Sequence, residues 1–507
     1  MSSVSIRPQS KTVGVALSYA TIVVNVLSTL IMTSIYLSFY GQDMYGLYQY
    51  IYSIAQYALV LDLGLSSVIV RHVGLYAVEG NHKGVENVLF YCLSLTVLSS
   101  IAIVIIGFLL YFNISFFLED RPTVQYGISY ILLVIMIAQL VLALFQHYFD
   151  GIIMSCERYM TIKGITLFRI VFKIVFIIIL IKAGVNIVSI AVGDLIATTL
   201  CVLYSAFYSF SYLKLKPKYH FWDWGVLSEM STLMFALMLQ SIVGYANRAI
   251  DKVIIGKMLT NIEVTIYSLG LTIANFFDEV PTAIQSVFLP SATKLVANNV
   301  SGKDLTDFVI KPGRYQFVLC SGILCGIVLF GRDFIVLWAG EENLLSWAVC
   351  LLLIIPSIIP LIQNVCLSIL TAKNKRAFRS YVYLGIAVIN CIITIFLVKK
   401  IGMIGAPLST SIALIIGNCI IMNIYYSKVI GIEVIRLFKS IFKGIAPCAL
   451  LSFIICAPLT FWNIVSWPIL LLKSIVFSFI FVFVIFKWGF NDTERDFVKN
   501  IFKRIHK

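Results

Sequence analysis

Arg169 and Lys173 stand four residues apart inside the apolar run ITLFRIVFKIVFIIIL, a spacing that puts both on one face of a helix. Like charges on adjacent turns repel by roughly a few tenths of a kcal/mol in water and by more in lipid, so the pair calls for water, an anion, or carboxylates such as Asp62 or Asp194. A cationic wall for a phosphate group is the functional reading. A second cluster holds Asn247, Arg248, Asp251 and Lys252, where Arg248 and Asp251 at i, i+3 can form a local ion pair. If it faces water, that pair, with Asp251 as carboxylate, can exchange a proton or ion. Asp278 and Glu279 come directly before Pro281, which removes a backbone donor and kinks a helix. Carboxylates at such a break suit a moving gate, with Asp278 as a second coupling candidate and Pro281 as the gate; a static kink answered by Arg248 or Lys252 is the alternative.

The other polar groups at membrane depth ask for less. Helix packing accounts for Asn25, Gln240, Asn275 and Asn390. Arg332 and Lys473 read as side chains snorkelling toward an interface, and His147 as structural. No GxxxxGK[ST], HExxH or GxSxG signature occurs. The eleven cysteines form no CxxC pair and have no His at ligand spacing. The expectation is therefore a non-enzyme with no metal, cofactor or disulfide framework.

The elements that carry these residues are membrane helices. Of the 507 residues 60% are hydrophobic and only 12% charged, with mean hydropathy +0.97, which excludes an ordinary soluble domain. Apolar stretches long enough to cross a bilayer predict about fourteen spans. These are 13–38, 44–64, 87–112, 124–148, 164–181, 186–212, 230–256, 264–290, 314–338, 344–371, 378–398, 403–427, 444–461 and 467–487. The net charge of +14 could suggest nucleic acid, but its basic residues are scattered through short loops. Twenty-seven Lys/Arg fall on the expected inner side and five on the outer, a bias that places both termini in the cytoplasm. The polar lead Met1 to Lys11 precedes a helix too long for a signal-peptide core, so the first span is expected to be retained.

A shift of about 218 residues lays GLYQYIYSIAQY (Gly46 to Tyr57) over TIYSLGLTIANF (Thr265 to Phe276) and Ile165 to Val188 over Tyr383 to Ala406. The expected organisation is thus an N-terminal six-helix lobe (1–212), an interfacial linker (213–229), a C-terminal six-helix lobe (230–427) and a helix pair with a tail (428–507). The linker mixes Lys214, Lys216 and Lys218 with Tyr219, Phe221, Trp222 and Trp224, as expected at headgroup level. Parallel repeats of this kind build transporters with a substrate site near the midplane.

The segment GLYQYIYSIAQYALVLDLGLSSVIVRHVG (Gly46 to Gly74) resembles the polysaccharide transporter family, the lipid-linked oligosaccharide flippases that include O-antigen flippases. Further similarity lies in NRAIDKVIIGKML (Asn247 to Leu259), FLPSATKL (Phe288 to Leu295), FIVLWAGEE (Phe334 to Glu342) and LTAKNK (Leu370 to Lys375). The resemblance implies an all-α membrane protein with the multidrug-extruder-like fold, alternating access, and export across the bacterial cytoplasmic membrane. The implied substrate is a polyprenyl-pyrophosphate-linked oligosaccharide for surface polysaccharide synthesis. Arg169, Lys173, Arg248 and Lys252 are the candidate pyrophosphate-facing residues. Membrane lipids are further expected partners, with a polysaccharide polymerase and a chain-length regulator, and no nucleic acid. An ion-coupled multidrug extruder on the same fold is the alternative; a membrane enzyme is disfavoured because no outer loop is long enough to carry catalytic residues.

Overall fold

The computed structural model describes residues 11–118, 123–298, 300–373, 375, 377–462, 465–492 and 494–496, which form helices and no strand. Hydrocarbon offers no partner to a backbone N–H or C=O, so a chain this apolar satisfies those groups within each helix. Two compact units arise, Met1–Thr265 and Ile266–Lys507. The first contains α1 (Lys11–Gln56), α2 (Leu65–Val78), α3 (His82–Phe112), the single turn α4 (Ile114–Phe117), α5 (Thr123–Ser155), α6 (Tyr159–Lys182), α7 (Val188–Phe207), α8 (Trp224–Met258) and the start of α9 (Asn261–Ala297). The second continues α9 and adds α10 (Gly302–Ala339), α11 (Leu345–Ile362), α12 (Asn364–Ala372), α13 (Ala377–Ile401), α14 (Gly405–Leu414), α15 (Asn423–Tyr425), α16 (Val434–Phe442), α17 (Ile445–Cys456) and α18 (Trp467–Val484).

Among the described residues, ten helical segments are long and apolar enough to cross a membrane. Two of them, Ala20–Leu59 and Phe378–Ile430, each cover two expected spans. α8 and α9 occupy the seventh and eighth expected spans without being among the ten. Phe168, Val171, Val175 and Ile179 on α6, and Leu471, Ile475, Phe479 and Val482 on α18, are exposed at helical spacing. Apolar stripes that would be turned inward in a soluble helix here face outward, which fits lipid as the surrounding solvent.

Two departures from regular helix matter in the first unit. Gly41 has φ 75° and ψ 170° inside α1, a conformation open to glycine and strained for other residues, and it separates the first two expected spans. The second expected span, 44–64, does not end in a loop. After Gln56 the chain tightens into a 3-10 turn, Tyr57–Leu61, passes through an extended Asp62 and a left-handed Gly64 (φ 64°), and starts α2. Leu65, Val68, Ile69 and Val73 of α2 are buried against Val88, Leu89 and Cys92 of α3 and Tyr148, Phe149 and Ile152 of α5. Packing of that apolar face explains why a segment read as a basic inner loop folds as a helix.

The 213–229 linker is held rather than loose. The Asn87 side chain and the Tyr91 hydroxyl both donate to the Phe221 carbonyl, at 2.9 and 2.6 Å, and His220 Nε2 lies 2.6 Å from Glu86 Oε2. Asp223 then caps α8 by accepting from the Val226 N–H. α8 packs on α1 within the first unit, with Gly256 directly against the Tyr50 ring.

In the second unit, Leu305, Val309 and Phe317 of α10 share a core with Leu437 and Ile441 of α16 and with Phe477 and Phe481 of α18. Arg314 anchors this region. Nε and Nη2 donate to the two oxygens of Glu494 at 2.6 and 3.0 Å, Nη1 donates to the Ser440 and Lys443 carbonyls, and Nη2 also donates to that of Gly489. All five guanidinium donors are thereby used. Lys473 does not snorkel. It is 1% exposed and donates to Asp333 Oδ2 of α10 and the Trp462 carbonyl, each at 2.9 Å, because α18 turns it inward against α10 and a buried ammonium needs such partners.

Candidate functional site

The charged residues of the first unit gather on α5, α6, α7 and the break before α2. On α6, Lys173 Nζ lies 3.1 Å from Asp194 Oδ1 on α7, with side-chain exposures of 32% and 13%. Gln139 of α5 donates to the second oxygen of Asp194. One turn back on α6, Arg169 is half-buried and forms no hydrogen bond or ion pair with a described residue. Its charge is nevertheless felt by Asp194, Asp150 and His147. The expected pairing of this face with a carboxylate is therefore met for Lys173 by Asp194, which leaves Arg169, among the described residues of this face, with bonding capacity to spare. A guanidinium holding five donors without a carboxylate in contact can take a phosphate oxygen pair in fork geometry.

Asp62, the other carboxylate considered for that face, is engaged elsewhere. His147 Nδ1 of α5 lies 2.9 Å from Asp62 Oδ2. On the same α5 face Gln146 donates to Asp150 at 2.7 Å and to Ser205 of α7 at 3.1 Å. His147 is therefore part of the polar system rather than a packing residue. A signal for it exists in the sequence: Gln139, Gln146, His147 and Asp150 recur at spacings of seven, eight and eleven, which keeps them near one helical face.

Lys252 on α8 is 7% exposed, 3.5 Å from Gln49 Oε1 and 5.9 Å from the Tyr52 ring centroid. Gln49 in turn donates to the Tyr45 hydroxyl at 2.8 Å. Asp251 is fully buried. The side chains of Arg248 and Asn247 lie outside the described residues. Lys252 thus sits in a Tyr/Gln environment contributed by α1, apart from the contacts of Lys173.

A polar cluster unnoticed in the sequence links α1, α5 and the start of α9. Asp43 accepts from Gln125 at 2.6 Å and from Asn261 at 3.0 Å, and the Thr265 hydroxyl donates to the Gln42 carbonyl at 2.7 Å. Asp43 and Asn261 are 218 positions apart, the offset of the internal repeat.

Asp278 and Pro281 belong to the second unit. The Ser357 hydroxyl of α11 donates to Asp278 at 3.0 Å, and the buried Gln316 side chain of α10 donates to the Pro281 carbonyl at 3.2 Å. This unit also contains a cavity of about 630 Å³ between α9, α10 and α18, lined by Phe276, Gly322, Gly326, Phe330, Leu470 and Phe477 among others. Its size is that of a ligand site, and its walls are apolar. Among the described residues no group of three or more His, Cys, Asp or Glu could hold a metal ion.

Residues 38–342 match the family model for polysaccharide biosynthesis proteins. Among solved structures, the lipid II flippase MurJ in its inward-closed conformation aligns with a TM-score of 0.70 at 14% identity, over 94% of this chain and 99% of that one. An inward-facing multidrug resistance MATE family transporter of the MOP superfamily aligns at 0.63 and 12% identity, over 82% and 99%. An outward-facing form of such a transporter gives 0.58 at 13% identity, over 87% and 99%. At these identities the likeness is one of fold. No curated protein sequence matches the chain.

Proposed function

Since the chain belongs to the polysaccharide biosynthesis protein family, we propose that it is a flippase for polyprenyl-pyrophosphate-linked oligosaccharides in the bacterial cytoplasmic membrane. The family match over 38–342 carries the reading. Arg169 supports it, being a half-buried cation in a membrane helix without a carboxylate in contact, as a pyrophosphate requires. The apolar cavity of the second unit supports the lipid half of the substrate, since its lining offers an isoprenoid chain an apolar surface.

On this reading the substrate is flipped from the cytoplasmic to the outer leaflet by alternating access, without bond making. Lobes 1–212 and 230–427, joined by 213–229 and followed by 428–507, are the functional halves. Arg169, Lys173, Arg248 and Lys252 face the anion. Asp251 and Asp278 couple an ion, and Pro281 gates. Both termini lie in the cytoplasm, in keeping with the basic inner loops. A polymerase and a chain-length regulator would take over the product.

The test is reconstitution with a fluorescent polyprenyl-pyrophosphate oligosaccharide. The expected result is leaflet exchange that depends on the protein; covalent joining of repeat units, or no exchange, overturns it. The extruder-type structural neighbours favour ion-coupled multidrug export as the second reading. Raised drug tolerance on expression, with surface glycan unchanged on deletion, would select it.

A further inference from the structure

The break between α1 and α2 brings together features the transport reading does not use. Asp62 stands in extended backbone at the break, and its Oδ2 is paired with His147 Nδ1. Its other oxygen, Oδ1, is buried without a hydrogen-bond partner among the described residues. The His147 side chain is 40% exposed. The hinge is close-fitting, since a Cβ at Gly64 would lie 2.5 Å from Leu237 Cδ1 of α8.

We propose that Asp62 and His147 form a proton-binding site that controls the hinge at Asp62–Gly64 and couples proton movement to the transport cycle. Imidazole is the side chain whose charge changes between about pH 5 and 8. With a proton on Nε2, His147 is an imidazolium that donates Nδ1–H to the Asp62 carboxylate and holds the end of the 3-10 turn against α5. When that proton leaves to water, a neutral imidazole remains, the charge attraction is lost, and the half-satisfied carboxylate is free to move.

Among the described residues, the charged and titratable groups around the pair come from the elements packed on it. Asp150 is on α5, Arg169 and Lys163 are on α6, and the Lys173–Asp194 pair bridges α6 and α7. On α2, His72 Nδ1 is held at the Val68 carbonyl. Among the described residues, Asp62 is the ion partner of His147.

Coupling to transport rests on the flippase reading; proton binding and hinge control do not. The experiment therefore uses substrate-free, full-length protein in nanodiscs with labelled histidine. The chain has five histidines, so H147Q identifies the His147 signal by deleting it. His147 is expected to show a titration step that H147Q removes, and D62N to weaken its proton binding about tenfold, the equivalent of one pK unit. Amide-exchange protection of residues 57–66, corrected for intrinsic rates, should be higher below the midpoint than above it, and should lose that step in H147Q. A His147 that does not titrate, a D62N effect under twofold, or protection that H147Q lowers equally at every pH overturns the proposal. If the titration and the step are found and reconstituted transport is absent, the flippase reading falls and the proton site stands.

Discussion

At the residue scale, the decisive distinction is between cations that already have a carboxylate and those that do not. Lys173 is satisfied by Asp194, while Arg169, one turn away, is not. Arg169→Ala should lower surface glycan about tenfold or more at matched protein level, and Arg169→Lys should restore only part of it, because an ammonium cannot make a bidentate phosphate contact. The Lys173–Asp194 pair predicts a stability signature in addition. Either Lys173→Ala or Asp194→Asn alone should lower thermal stability, whereas the double substitution should cost less than the sum, since a half-buried partner left alone is worse than no pair. Lys473 and His147 show the limit of residue-type reasoning. A lysine near a helix end and a lone histidine have bland default roles, and only the neighbours Asp333 and Asp62, 140 and 85 positions away, give them partners.

At the element scale, the informative regions are those where helices break or are pinned. Gly64 combines a left-handed backbone with contact to Leu237, so Gly64→Ala should cost about 1–3 kcal/mol of stability, read as a lower melting temperature in detergent. Arg314 ties α10 to the ends of α16 and α18 through Glu494. Removing the chain from residue 492 onward leaves a buried guanidinium without its carboxylate, and should destabilise the protein by about 3–5 kcal/mol. Arg314 is, from its sequence alone, one more basic residue of an inner loop. Its buried position follows from α16 lying across α10, with Leu437 and Ile441 filling the α10 surface, and loop charge does not reveal that.

At the scale of the whole molecule, the charge asymmetry of the loops predicts orientation. A C-terminal fluorescent-protein fusion should be bright and a C-terminal alkaline phosphatase fusion inactive, as a cytoplasmic end requires; an active phosphatase would reverse the topology. Class, helical content and family were legible in the sequence, because lipid leaves an apolar chain few ways to satisfy its backbone and because hydropathy and motif order are local properties. Candidate charges were legible too, since an ionisable residue in an apolar run stands out in one dimension. What only the tertiary structure decided is which charges meet: Lys173 with Asp194, His147 with Asp62, Lys473 with Asp333, Arg314 with Glu494. It also decided that α2 is a helix behind a break at Asp62–Gly64. Those outcomes depend on distant helices packing side by side, where a few ångströms separate an ion pair from an open cation, and no local pattern of residues encodes that distance.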